Sequence, residues 1–235
     1  MLMRIAGLVK TSLIDYPGRV SAVIFTYGCN FRCRFCHNPD LVIGKISNLK
    51  TYTEQEILEF LKKRKKILDG VVITGGEPLI NKDIEDFIRK IKDMGYAVKL
   101  DTNGSNPVLL EKLIGEKLLD FIAMDIKNSL EKYPTTVKKA IDGKTIYESI
   151  DIIKNSGLEY EFRTTVLPRL HSEKDFPKMG EMIKGANKFV VQGFRPGITL
   201  DKKFENEKSF TSGELKDIAK IFEKYVENVE VRENS

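Results

Sequence analysis

The chain of 235 residues has no tryptophan and only three cysteines, and it lacks both long apolar runs and a strong excess of one charge. No stretch approaches the roughly 20 apolar residues that cross a bilayer, and the N-terminus has no apolar run followed by a small-residue cleavage site. We therefore expect a cytoplasmic protein with no membrane partner. The net charge of +5 is accompanied by many acids, so no nucleic-acid partner is expected.

The three cysteines, Cys29, Cys33 and Cys36, all lie in one short segment near the N-terminus. An odd, clustered set does not suit a disulfide scaffold, whereas it suits a metal site. Thiolates spaced by three and then two residues can wrap one iron–sulfur cluster from a single loop. Because no fourth cysteine exists, one iron of a cubane would keep an open position for a substrate or cofactor.

Two other interpretations of the cysteines stay open at this point. One is a zinc site formed by the three cysteines and His37, although His37 directly follows Cys36 and has little freedom to reach the same ion. The other is a set of buried, unligated thiols, which fits poorly with the polar neighbours Asn30, Arg32 and Arg34.

Short β-branched runs alternate with amphipathic, charged segments along most of the chain. The runs predict strands at Val20–Tyr27, Gly70–Thr74, Ala97–Thr102, Leu119–Asp125, Glu159–Val166 and Lys188–Phe194. The intervening segments predict helices at Thr53–Leu68, Lys82–Met94, Pro107–Glu116, Thr145–Asn155 and Glu173–Ile183. Nearly continuous apolar runs are typical of parallel strands, so the sequence predicts an α/β fold built from parallel βα units.

No linker or low-complexity stretch divides the chain, so we predict a single domain over residues 1–235. Residues 1–19 form an N-terminal extension, expected as a short hairpin, and residues 20–200 form the main body. Residues 201–235 close it with a helix from Thr211 and a strand at Val226–Val231. Thr53 and Glu56 predict a capping box, and Gly95 and Gly157 lie where helices are expected to end.

Polar or glycine-rich residues follow the predicted strands rather than the helices. They are Gly28–Asn30, Gly75–Glu77, Asn103–Gly104, Asp125–Lys127 and Gln192–Gly193. In a βα barrel the carboxyl ends of the strands share one face, so we expect these clusters to converge there. Arg163 lies inside a predicted strand and needs a partner, either a ligand or a neighbouring acid. His171, alone in a loop, is assigned no function.

The cysteine spacing, with Phe35 just before the last cysteine, resembles the signature of the radical S-adenosylmethionine superfamily. The resemblance implies a partial (β/α)6 barrel of the TIM type with a mostly parallel sheet. It also implies a 4Fe–4S cluster on Cys29, Cys33 and Cys36, whose open iron is chelated by S-adenosylmethionine. Reductive cleavage of that cofactor would give methionine and a 5′-deoxyadenosyl radical, with no catalytic side chain beyond cluster and cofactor.

The strand-end segments extend the resemblance. Gly75-Gly76-Glu77 resembles the Gly-Gly-Glu motif of the superfamily, which meets the methionine amino group. Asp101-Thr102-Asn103-Gly104 and Asp125-Ile126-Lys127 resemble segments that line the cofactor site of glycyl-radical-enzyme activases. The resemblance places Lys127 near the methionine carboxylate and a monovalent cation site at the two aspartates. Arg163 is expected at the carboxylate or ribose and Gln192 at the adenine, although either residue could be structural.

Two further segments point to a substrate. Cys36-His37-Asn38-Pro39 resembles the same activases, and the segment from Ser12 to Gly18 resembles the start of activating proteins for anaerobic ribonucleoside-triphosphate reductase. The implied reaction is removal of a hydrogen atom from a glycine of that partner enzyme, with a flavodoxin or ferredoxin-type electron donor. Basic residues at Arg32, Arg34, Arg195 and Lys202–Lys203 are either a docking surface for this partner or ordinary solvated surface, and the sequence leaves both open.

Two other functions remain open from the sequence. A small-molecule radical enzyme, such as a 7-carboxy-7-deazaguanine synthase, has a similar size and a similar Gly-Gly-Glu turn. A non-catalytic zinc- or cluster-binding module is the alternative from another class. Polar clusters at successive strand ends oppose it, because a binding module needs no such pocket.

Overall fold

The structure, a computed structural model, describes residues 4–44 and 49–233. Eight strands run in chain order, β1 (Ile5–Ser12), β2 (Ser21–Thr26), β3 (Gly70–Gly75), β4 (Ala97–Thr102), β5 (Phe121–Asp125), β6 (Glu159–Val166), β7 (Lys188–Gly193) and β8 (Asn228–Arg232). The helices are α1 (Pro39–Val42), α2 (Glu54–Arg64), α3 (Ile84–Asp93), α4 (Pro107–Gly115), α5 (Tyr133–Val137), α6 (Gly143–Lys154), α7 (Asp175–Met182) and α8 (Ser212–Phe222).

The strands follow one another in the sheet in the same order as in the chain. β1 pairs antiparallel with β2, whereas the pairs β2–β3, β3–β4, β6–β7 and β7–β8 are parallel. Strand-then-helix order with parallel pairing confirms the predicted α/β class. The N-terminal extension contributes β1 to this sheet. The predicted single domain also includes residues 1–3, 45–48 and 234–235, which lie outside the described residues.

The chain divides into two compact units. The first comprises Met1–Asn30, Asn38–Thr102 and Asn106–Ile122, and the second comprises Phe31–His37, Asn103–Ser105 and Ala123–Ser235. In the first unit, buried side chains of β3 such as Ile73 and helix residues such as Phe87 and Leu61 form the core. In the second, Phe189 of β7 packs on Phe222 of α8 with ring centroids 4.4 Å apart. Each unit therefore has its own apolar core.

Helix ends follow local chemistry. The Thr53 hydroxyl accepts a hydrogen bond from the Glu56 N–H, and the Glu56 carboxylate accepts one from the Thr53 N–H, which confirms the predicted capping box. Gly95 and Gly157 have φ of +77° and +71°, the left-handed conformation that glycine adopts readily after a helix.

The α7 helix begins at a buried carboxylate. Asp175 accepts a hydrogen bond from the Ser172 N–H at 2.7 Å and pairs with Lys132 at 2.6 Å. Burial disfavours its charge, but the Lys132 and Ser172 hydrogen bonds outweigh burial and hold the pKa of Asp175 at about 2. Folding therefore stabilises the charged carboxylate of Asp175 relative to its protonated form.

An ion-pair ladder ties the last strand to the sheet of the second unit. Glu161 on β6 is 1% exposed and pairs with Arg232 on β8 at 2.9 Å. Lys188 on β7 lies 3.7 Å from Glu161 and 2.7 Å from Glu230 of β8. Because a buried carboxylate is costly without a cation, β8 supplies the charge that β6 requires.

The predicted strands agree with the structure to within two residues. α2 ends at Arg64 rather than Leu68, because the chain tightens after Arg64 into an i→i−3 turn in which Ile67 donates its N–H to the Arg64 carbonyl at 2.9 Å. The short helices α1 and α5 were not predicted. The expectation of a short hairpin within residues 1–19 was wrong, because the described part of this extension contains one strand, β1, which pairs with β2 of the main body. Within residues 4–44 and 49–233, no helix combines the length and the apolar character needed to cross a membrane.

Candidate active site

The second half of the cysteine loop forms a tight turn in the second unit. The Cys36 N–H donates to the Cys33 carbonyl at 3.1 Å. Cys33 and Phe35 are buried, while Cys36 is half-buried. Cys29, in the first unit, is also half-buried. The turn therefore brings two of the three predicted ligands together on one short piece of chain.

His37 is engaged in this turn in a way that bears on the zinc alternative. Its ring stacks on Phe194 with centroids 5.2 Å apart, and its Nε2 atom lies 2.7 Å from the Arg195 carbonyl oxygen. Among the described residues, no three His, Cys, Asp or Glu side chains are placed to hold one metal ion. The engagement of the His37 ring by Phe194 and Arg195 disfavours a zinc site formed by the cysteines and His37.

A cluster of charges follows β5 in the second unit. The Asp125 carboxylate lies 3.1 Å from the Arg163 Nε and 3.0 Å from the Lys127 Nζ. Burial disfavours its charge, but the two cations outweigh burial and hold the pKa of Asp125 at about 2. Arg163 thus has the acidic partner that its position in a strand required. The group carries one excess positive charge.

Lys127 also lies near a predicted iron ligand. Burial opposes its charge, but Asp125 and the Cys33 thiolate raise the pKa of Lys127 above its usual value. Tyr133 donates its hydroxyl to the Asp125 carbonyl at 3.3 Å, and burial raises its pKa. The ammonium group of Lys127 is therefore charged beside the cysteine turn.

His171, to which sequence analysis gave no function, is a buried support for this cluster. It is 2% exposed, its Nδ1 accepts the Leu167 N–H at 3.3 Å, and its Nε2 lies 3.0 Å from the Lys127 carbonyl. Since Nδ1 is an acceptor and a carbonyl only accepts, Nε2 carries the proton and donates it to Lys127. Burial lowers the pKa of His171, which agrees with a neutral ring. A lone histidine in a loop carries no pattern that reveals this.

The Gly75-Gly76-Glu77 turn in the first unit depends on close backbone packing. Gly75 has φ of +123°, and a Cβ on Gly76 would lie 1.9 Å from the Gly28 carbonyl oxygen. That oxygen accepts the Glu77 N–H at 2.8 Å. The two glycines therefore allow the end of β3 to contact the backbone that follows β2.

The Glu77 side chain is held within the first unit. It is 1% exposed, and its Oε1 accepts from the Thr102 hydroxyl at 2.8 Å and from the Leu79 N–H at 3.1 Å. Two of the predicted cofactor residues, Glu77 and Thr102, are thus in direct contact.

Asp101 at the end of β4 has an unexpected cationic partner. Lys99, 2% exposed, places its Nζ 2.5 Å from the Asp101 carboxylate. Lys99 was not among the predicted site residues. The signal that singled out Arg163, a charge inside a predicted strand, also applies to Lys99 and could have found it.

The remaining predicted residues lie in the second unit. Asn103 is buried, and its side-chain oxygen accepts the Ser105 N–H at 3.0 Å, which closes a turn after β4. Gly104 has φ of +73°, and a Cβ there would lie 2.0 Å from the Met124 Cε. Gln192 is half-buried near the carboxyl end of β7, where it pairs with Thr165 of β6. The convergence of all strand-end clusters on one face stays a prediction.

The residues present fit an iron–sulfur cluster. The donors are thiols from one loop. Each of the three thiolates would bind a different iron of a cubane, and the fourth iron would stay open. The three thiols therefore need not converge on a single ion in order to hold the cluster. The positive charge of Lys127 beside Cys33 suits a group whose ligands are anionic. We therefore treat the three cysteines as candidate ligands.

Comparison with known proteins supports the same assignment. A model described as the Radical SAM superfamily matches residues 23–183. A Methanocaldococcus jannaschii protein whose name assigns it to the glycyl-radical enzyme activating enzymes is 36% identical, over 97% of this chain and 95% of its own. The pyruvate formate-lyase-activating enzyme of Clostridium pasteurianum is 29% identical over 84% of this chain and 83% of its own.

A solved structure supports the fold. Streptococcus suis SuiB bound to the precursor peptide SuiA matches with a TM-score of 0.66 at 12% identity. The match covers 90% of this chain and 48% of SuiB, so the chain spans about half the length of that protein. The likeness confirms the predicted fold class, an α/β fold of the partial-barrel type with a mostly parallel sheet.

Proposed function

We propose, starting from the fact that the chain belongs to the radical S-adenosylmethionine superfamily and within it to the glycyl-radical-enzyme activating enzymes, that it forms a glycyl radical on anaerobic ribonucleoside-triphosphate reductase. The family implies a 4Fe–4S cluster and S-adenosylmethionine, which together supply a radical when bound. The observation that carries the activating function is the match of an activating-enzyme relative to 97% of the chain, whereas the partner is inferred from a separate segment, Ser12 to Gly18.

Cys29, Cys33 and Cys36 would hold the cluster as thiolates. Phe35 is 5% exposed and Cys33 is 8% exposed, so this part of the turn is shielded from solvent. Exclusion of water protects a reactive radical from side reactions.

Lys127 and Arg163 would bind the methionine carboxylate of the cofactor. Both are already oriented by Asp125, at 3.0 and 3.1 Å, so little side-chain freedom is lost when an anion arrives. The Asp125 carboxylate neutralises only one of these two cations. The remaining positive charge is available for the carboxylate of the cofactor. Gln192, half-buried at the β7 end, would contact the adenine.

The first unit would bind the amino group of the cofactor. The Gly75–Gly76 backbone and the Glu77 carboxylate, fixed by Thr102, offer acceptors for an ammonium group. Asp101 and Asn103 would complete the cofactor contacts. The monovalent cation at Asp101 and Asp125 stays a prediction, and Lys99 and Lys127, at 2.5 and 3.0 Å from those carboxylates, would compete with it.

The choice of partner rests on the segment from Ser12 to Gly18. It forms an ordered turn in which the Ser12 hydroxyl oxygen accepts the N–H groups of Ile14 and Asp15, each at 3.2 Å. Tyr16 is buried and packs edge-on against Phe121, with centroids 5.9 Å apart. A flavodoxin or ferredoxin-type protein would supply the electron.

The test is anaerobic reconstitution followed by activation. The reconstituted chain should hold about four irons and convert S-adenosylmethionine to 5′-deoxyadenosine after dithionite reduction, and Cys33→Ala should do neither. Mixing it with the anaerobic ribonucleotide reductase from the same genome should give a glycyl signal in electron spin resonance. A signal only with a pyruvate formate-lyase would reject the proposed partner and keep the activase function. Zinc in place of iron would reject the function itself.

A further inference from the structure

The chain that follows β7 runs beside the cysteine turn of the same unit. We call residues 194–201 the strap. The Leu200 N–H donates to the Cys36 carbonyl at 2.9 Å, and the Asp201 N–H donates to the Arg34 carbonyl at 3.0 Å. Two backbone hydrogen bonds therefore connect the strap to the cysteine turn, one at Arg34 and one at Cys36.

Side chains add two further connections. The Arg34 guanidinium lies 3.5 Å from the Asp201 carboxylate. The His37 ring stacks on Phe194 at an interplanar angle of 16°, and its Nε2 donates to the Arg195 carbonyl at 2.7 Å, because a carbonyl can only accept. Arg34, one of the candidate docking residues, is thus paired within the chain.

The strap is itself fixed to the body of the unit. Phe194 is 1% exposed and donates its N–H to the Val166 carbonyl at 3.2 Å. Within the strap, Thr199 is buried and donates its hydroxyl to the Asp201 carbonyl at 2.9 Å, which orders the segment itself. Gly197 donates its N–H to the Glu205 carbonyl at 2.9 Å. A segment held in this way can act as a rigid support.

We infer that the strap is a clamp that holds the Cys33–Cys36 turn in the geometry that ligates the cluster, with His37 and Arg34 as positioning residues. Groups that fix metal ligands from outside the coordination shell affect how tightly the metal is held. A turn that is already ordered also loses less conformational freedom on ligation. The inference rests on the cluster that the family implies and not on the identity of the partner.

The experiment measures cluster retention in the reconstituted full-length chain. Under anaerobic conditions, the decay of cluster absorbance in excess iron chelator gives a lifetime, and iron per chain gives the loading. His37→Ala removes the stack and the hydrogen bond, whereas His37→Gln keeps an amide donor for the Arg195 carbonyl. Asp201→Asn removes the charge opposite Arg34 but keeps an oxygen for the Lys203 N–H, which Asp201 Oδ1 accepts at 3.1 Å. Lys202→Ala, an exposed position beside the strap, is the matched control.

The clamp predicts graded lifetimes. His37→Ala should shorten the lifetime about tenfold, and His37→Gln and Asp201→Asn about twofold to fivefold, in line with the modest net strength of single polar contacts. Lys202→Ala should match the unsubstituted chain. The urea midpoint of the cluster-free chain should change little in any of the four.

Two outcomes would overturn the clamp. One is a set of unchanged lifetimes. The other is a fall in the urea midpoints that parallels the lifetimes, which would mean general destabilisation. Neither measurement involves a partner enzyme. A chain that keeps its cluster as predicted but forms no glycyl radical would therefore reject the proposed function and leave the clamp standing.

Discussion

Replacing Gly76 with alanine perturbs the β3 end at a single, well-defined contact. The new Cβ would lie 1.9 Å from the Gly28 carbonyl oxygen, whereas ordinary van der Waals contact begins at 3.4 Å. The carbonyl oxygen belongs to the backbone and cannot swing aside as a flexible side chain would. The two chain segments must therefore separate by about 1.5 Å.

That separation has a cost that can be worked out from the surrounding hydrogen bonds. The Glu77 N–H donates to the Gly28 carbonyl at 2.8 Å, and the Gly76 N–H donates to the Thr26 carbonyl at 3.0 Å. Two lost bonds at about 1 kcal/mol each, with about 1–3 kcal/mol of overpacking, give an expected loss of about 3–5 kcal/mol in the free energy of unfolding. The displaced Glu77 should also weaken S-adenosylmethionine binding.

The assay is urea unfolding of the cluster-free chain, followed by S-adenosylmethionine cleavage by the reconstituted chain. The matched control is Gly213→Ala in the first turn of α8, where a Cβ meets nothing within 4 Å. Alanine there should stabilise the chain by about 0.5–1 kcal/mol. If Gly76→Ala unfolds at the same urea concentration as the unsubstituted chain, the close-contact reasoning is refuted.

Three further substitutions test other parts of the structure. Arg232→Met should cost about 3 kcal/mol in urea unfolding, because Glu161 stays buried with less compensating charge; a double variant that also carries Glu161→Met should recover most of this loss. His171→Asn should raise the KM for S-adenosylmethionine about fivefold because Asn cannot reach the Lys127 carbonyl, and His171→Gln, which can, should stay near the original value; equal KM values would contradict a positioning function. Because the pKa of Asp175 falls from 3.8 to about 2 on folding, its charge contributes about 2 kcal/mol above pH 4 that is lost as pH falls towards 2. Asp175→Asn should remove that dependence from the urea midpoint, and an unaltered acid limb would contradict the pairing.

Much of the fold was predictable because its strands are bounded by strong local signals. β4 and β6 begin and end at the predicted residues. Turn residues lie close to both ends of each strand: Gly95 and Asn103 for β4, Gly157 and Pro168 for β6. The short helix α5 was not predicted, because its sequence Tyr-Pro-Thr-Thr-Val has a proline and no helical periodicity. Its stability comes from tertiary burial of residues such as Tyr133.

The candidate site was predictable only where one short segment carries the chemistry. The cysteine spacing and the Gly75–Gly76 turn belong to that class. The contact of His171 with Lys127 joins residues 44 positions apart through a backbone carbonyl, which leaves no sequence pattern. The strap contacts of His37 reach 158 positions along the chain for the same reason.

The ladder around Glu161 has a consequence for the order in which the chain matures during synthesis. Glu161 emerges from the ribosome long before Arg232, which follows 71 positions later, and Lys188 offers only a longer 3.7 Å contact in the interval. Burying an uncompensated carboxylate is unfavourable, so β6 gains its full stability only once β8 has been made. The second unit, which carries Cys33 and Cys36, is therefore expected to close only after Arg232 has been translated.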